Sequence, residues 1–190
     1  MSSNAKLFGK YNDLALLIIG FLLTTVVGWI LQHRSWSHQH ELQQLEADRK
    51  TAEAVVSELS VRLDTRVRRM RQLAAAYRGT TSLSDIEQRW TDYGTALDDW
   101  NFTLNRSLRL VDRYFGAQRR NELEKEIQPA LINAGRDLDA LRGTSPADGR
   151  RRALAIAQQL DELNHRYYQF LDDLMLQLAE GAVVGRTDRQ

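Results

Sequence analysis

The chain has 190 residues, 43% of them hydrophobic and 27% charged, enough for one ordinary domain plus an appendage. Its 26 basic residues are offset by 25 acidic ones, spread along the whole chain, which is a poor electrostatic footprint for nucleic-acid binding, and no nucleic-acid partner is expected. The absence of cysteine excludes disulfides, thiol catalysis and zinc–thiolate sites.

A short N-terminal tail, residues 1–13, precedes an uncharged apolar run from Leu14 to Leu31. At 1.5 Å per residue this run spans about 27 Å, close to the hydrocarbon thickness of a bilayer, and its insertion is favourable by roughly 5 kcal/mol. The mean hydropathy of the whole chain is −0.47, so its apolar residues are concentrated here. A signal peptide would have a shorter apolar region and small residues at a cleavage site, and Gly28-Trp29-Ile30-Leu31-Gln32-His33-Arg34 offers none. A buried core helix would show a polar face, which this segment lacks. Residues 14–32 are therefore expected to be a single, uncleaved transmembrane helix in the lipid bilayer, with Tyr11, Trp29 and Trp36 as interfacial aromatics. Lys6 and Lys10 before the run, against Arg34 after it, place the N-terminus in the cytoplasm and the remainder outside an inner (plasma) membrane of bacterial type. Gly20, Thr24 and Gly28 recur every four residues on one helical face, where small side chains let a second helix approach.

The apolar pattern beyond the run is helical. A 3–4 spacing passes through Leu42, Leu45, Arg49, Ala52, Val56, Leu59, Leu63, Arg66, Met70, Leu73 and Tyr77, a coiled-coil-like seam that predicts a helix over residues 33–78. Ser84-Asp85-Ile86-Glu87 reads as a capping box opening a second helix, residues 84–115, with Trp90, Tyr93, Leu97, Trp100, Leu104, Leu108 and Val111 facing inward and Gly116 as its stop. A third helix is predicted over 118–142, kinked at Pro129. Ser145 and Pro146 then cap a fourth over 146–180, leaving a C-terminal tail over 181–190.

The expected fold is all-α: the transmembrane helix continues into a long helix, and residues 33–180 form an antiparallel four-helix, coiled-coil-like bundle. The first helix, about 46 residues, is longer than the others, so the seam at Leu42 and Leu45 lies beyond their cover. Together with the Gly20/Thr24/Gly28 stripe, this points to homo-oligomerisation.

Chemistry-bearing motifs are sparse. His33 and His40 stand about 10.5 Å apart along a helix, too far for one metal ion. His165, one turn from Asp161 and near Tyr168, reads as a surface pair. Phosphate loops, nucleophile elbows and H-E-x-x-H are absent, so neither an enzyme nor a cofactor is expected. Two polar features stand out. Arg62, Arg66 and Arg69 share a helical stripe, read as a solvated face paired with acids or as a patch for an anion or acidic partner. Asn101, Asn105 and Arg109, beside the Trp100/Leu104 seam, read as a buried polar network setting helix register or as a site for a polar ligand. The functional expectation is a membrane-anchored scaffold acting through self-association and contacts with a heterologous membrane or soluble protein. An oligomeric pore, or a sensor ectodomain signalling through a partner, are the alternatives.

Overall fold

The computed structural model describes the backbone of residues 4–79 and 81–181; before Leu42 it describes the side chains of Thr25, Trp29 and His40 alone, and after it all of those residues but Pro146. It contains α1 (Asn4–Arg78), α2 (Leu83–Glu122), a π-helical turn (Leu123–Ile127), α3 (Gln128–Asp139) and α4 (Pro146–Ala179), with no strand among the described residues. The chain divides into two compact units, Met1–Ala47 and Asp48–Gln190.

Each chain reversal in the second unit has a local cause. Gly79 donates its N–H to Ala75 O at 3.2 Å just beyond the end of α1. The start of α2 is capped two residues earlier than the pattern suggested: Ser82, not Ser84, is extended (φ −65°, ψ 155°) and accepts from the Asp85 N–H at 3.2 Å. Its hydroxyl donates to Asp85 Oδ2 at 2.7 Å, so the Asp85 carboxylate holds the capping hydroxyl and Glu87 is left on the exposed surface. At Gly116 the backbone takes φ 87°, ψ 168°, a conformation L side chains rarely adopt, and there α2 turns back on itself.

Pro129 does not simply kink the third helical rod. It cannot donate to the carbonyl four residues back, and the chain absorbs the defect as the π turn just before it, where the Gln128 N–H reaches Leu123 O, five residues away. α3 ends at Asp139, earlier than the expected 142, in a turn closed by Gly143 (φ 77°). Ser145 then caps α4 by accepting from the Asp148 N–H at 3.3 Å.

Cross-helix bonds set the packing. Arg62 meets Asp99, Arg69 meets Asp92, and the Trp90 indole N–H donates to the Tyr77 hydroxyl, so residue numbers rise in α1 as they fall in α2. Arg120 lies 3.8 Å from Asp112, and Trp100 Nε1 donates to Gln128 Oε1 at 2.7 Å, which sets the post-Gly116 segment antiparallel to the first part of α2. Arg71 with Asp161, and Asp64 with Tyr167, set α4 antiparallel to α1. The second unit is thus a four-rod antiparallel bundle.

Its core contains Ala52, Val56, Leu59, Leu63, Met70 and Leu73 from α1; Tyr93, Trp100, Leu108 and Val111 from α2; Leu123, Leu131 and Leu138 from the third rod; and Leu160, Tyr167, Phe170 and Leu174 from α4. Each fully buried leucine contributes about 1.5–3 kcal/mol relative to an exposed one. The inward face of α2 differs in detail from the sequence pattern. Trp90, Leu97 and Leu104 are only half-buried, while Thr103, a polar residue outside the seam, is buried. Its hydroxyl bonds the Asp99 carbonyl at 2.8 Å, which removes the penalty of burying it.

Among the described residues no helix is long and apolar enough to cross a membrane. The run Leu14–Leu31 belongs to α1, but apart from Thr25 and Trp29 its side chains lie outside the described residues, as do the surroundings of Gly20, Thr24 and Gly28.

Candidate functional site

The arginine stripe of α1 is the richest polar arrangement in the bundle, and its three members meet different surroundings. Arg62 is a hub. Its guanidinium donates to Glu58 Oε1 at 2.9 Å, to Asp99 Oδ2 at 2.9 Å and to the Thr103 hydroxyl at 2.8 Å. Arg69 holds Asp92 Oδ2 at 3.0 Å and Gln72 Oε1 at 3.1 Å. These side chains are largely screened by their neighbours, so neither presents a free positive face. Arg71, beside the stripe, is joined to Asp161 on α4 at 2.6 Å.

Arg66 is different in kind. It is 2% exposed, and its Nε and Nη1 have no hydrogen-bond partner. Its guanidinium carbon lies 5.7 Å from the centre of the Trp100 ring. Burial pulls its pKa below the ordinary arginine value, and the neighbouring Tyr93 hydroxyl partly opposes that shift. The Tyr93 phenol is in turn pushed up by burial, against the pull of Arg66 and with a contribution from Asp139. A cation over an aromatic ring is worth about 0.5–2 kcal/mol. Removing an ion from water costs several kcal/mol, so the ring does not offset the desolvation of this guanidinium. The expected patch Arg62/Arg66/Arg69 is therefore two ion-paired arginines flanking one buried, under-bonded cation. The signal for burial is in the sequence, since Arg66 stands at a seam position between Leu63 and Met70.

Asn101, Asn105 and Arg109 are all exposed, and the buried register network expected of them is not formed. The contact that ties two of them is Arg109 Nε to the Asn105 backbone oxygen at 3.3 Å. Asn105 and Arg109 do line a shallow, solvent-open concavity with Leu108, Arg120 and Glu124, brought opposite them by the turn at Gly116. Arg120 is engaged there with Glu124 at 3.4 Å and Asp112 at 3.8 Å. A second shallow groove, between α1 and α2, is lined by Ala54, Ser57, Glu58, Val61, Arg62 and Asp99.

Sequence reasoning missed the cluster between α1 and α4. The ring of Tyr167 is fully buried, and its hydroxyl lies 2.8 Å from Asn164 Oδ1 and 3.4 Å from Asp64 Oδ1. Burial, then the adjacent Tyr168 and Asp64, push its pKa far above the ordinary phenol value, with Arg71 opposing. His165 faces Gln169 at 3.0 Å and not Asp161, which is held by Arg71. Among the described residues, no three His, Asp or Glu side chains converge in a way that could hold a metal ion.

Leu42 and Leu45 are 48% and 64% exposed, whereas the seam positions from Ala52 to Leu73 are buried. Fold and site together define the class of the second unit as an antiparallel helical bundle with surface ion pairs and, among the described residues, one buried arginine. Compared with known protein families, characterised proteins and solved structures, the chain matches none.

Proposed function

We propose that the protein is a membrane-anchored helical-bundle scaffold that acts by homo-oligomerisation and protein contacts. The observation that carries this reading is the change in α1 from buried seam residues after Ala52 to exposed seam leucines at positions 42 and 45. A coiled-coil stripe whose apolar positions are left exposed is completed by a second copy that carries the same stripe. The anchor rests on the sequence: roughly 18 uncharged residues without a polar face are long enough to span a bilayer. The scarcity of convergent catalytic groups among the described residues of the bundle favours a role in binding over one in chemistry.

The test is the mass of the detergent-solubilised full-length protein by light scattering, beside a Leu42→Gln/Leu45→Gln variant. A discrete oligomer that the variant converts to monomer is the expected result. A monomeric native protein overturns the oligomer reading, and recovery of the native chain in the soluble fraction after cell lysis overturns the anchor. Dye release from liposomes would move the reading to an oligomeric pore, and ligand-induced thermal shifts would move it to a sensor ectodomain.

A further inference from the structure

Arg66 sits in the middle of the α1–α2 contact, flanked along its stripe by the completely buried Leu63 and Met70. The carboxylates nearest in the ladder are already taken. Asp99 is bound by Arg62 one turn before it, and Asp92 by Arg69 one turn after. The layer itself supplies an indole face and a phenol, with Nε and Nη1 left without acceptors. Parting α1 from α2 at this level would hydrate both N–H groups at once, while the flanking carboxylates Asp99 and Asp92, 61% and 33% exposed, already have access to water.

We propose that Arg66 makes the middle of the α1–α2 seam a weak layer, at which the bundle opens locally ahead of global unfolding. The seam between α1 and α4 carries a weaker version of the feature. Arg71 Nε is also buried without a partner, but that side chain is 38% exposed and its Nη2 is paired with Asp161 at 2.6 Å, and the buried hydroxyl of Tyr167 is bonded to Asn164 and Asp64. Local opening is therefore directional: it frees the α1–α2 contact and leaves α4 seated. The inference stands on the second unit alone and does not depend on the membrane or oligomer reading.

Hydrogen–deuterium exchange of the full-length protein in detergent tests it. In the native protein, the amides of residues 59–73 and 93–104 are expected to exchange faster than those of 131–138 and 160–174. Replacing Arg66→Met, which keeps the volume and removes the charge, is expected to slow the first two segments at least about tenfold and to raise Tm by about 3 °C. Arg66→Lys keeps the charge and is expected to leave them fast. Uniform exchange in the native protein overturns the proposal without recourse to any variant. So does an Arg66→Met protein that melts lower, or one that melts higher with unchanged exchange in the seam.

Discussion

Arg62 and Arg66 are one helical turn apart and chemically identical, yet one reaches two carboxylates and a hydroxyl while the other reaches an aromatic face. The difference lies in what α2 places opposite each. The same logic governs Tyr167, whose hydroxyl is tied to Asn164 and Asp64 and whose pKa lies above that of a phenol in water. A group with a raised folded-state pKa contributes its full stability below its unfolded value and loses it as pH rises through the folded value. Tyr93 has the same sign. Thermal melts followed by circular dichroism should give a Tm that is flat between about pH 7 and 9 and falls above about pH 10. Tyr167→Phe should cost about 1 kcal/mol at neutral pH, for the lost hydrogen bonds, but make the alkaline fall shallower. An unchanged alkaline slope in that variant would assign the loss to other groups.

The approach of α2 to the third rod is set at Gly135, where a Cβ would lie 2.7 Å from the Tyr93 hydroxyl. The backbone there is helical, so alanine would gain up to about 1 kcal/mol in helix propensity. Overpacking against a buried ring costs about 1–3 kcal/mol, and the clash is expected to win. Gly135→Ala should therefore destabilise by about 1 kcal/mol in the native background and become neutral or stabilising beside Tyr93→Phe, a coupling that a double-mutant cycle of melts would measure. Element ends were largely legible because their causes are local: a serine acceptor, a proline, a glycine with a positive φ. Ser82 displaced Ser84 because two serines stood within reach, and Ser82 is the one whose hydroxyl exchanges bonds with the Asp85 N–H and carboxylate. The π turn was less legible, since proline announces a defect in the ladder but not how neighbouring turns will absorb it.

The buried core identified among the described residues runs from Ala52 to Leu178, entirely within the unit Asp48–Gln190. A fragment of residues 48–190 is accordingly expected to fold on its own, with one cooperative melt within about 3 °C of the full-length value. A broad, non-cooperative melt would show that the preceding residues are needed to complete the core. By itself, the sequence determined the helical class, the seam of α1, the reversals near Gly79, Gly116 and Gly143, and the apolar run at Leu14–Leu31, because periodicity and backbone restrictions act within a few residues. Only the tertiary structure decided that Asn101, Asn105 and Arg109 stand in solvent, that Arg62 and Arg69 are spent on ion pairs, and that Arg66 is buried without a carboxylate. A seam predicts which stripe of a helix turns inward. It cannot say which groups of a distant segment will stand opposite each residue, and for a charged side chain that opposition decides the outcome.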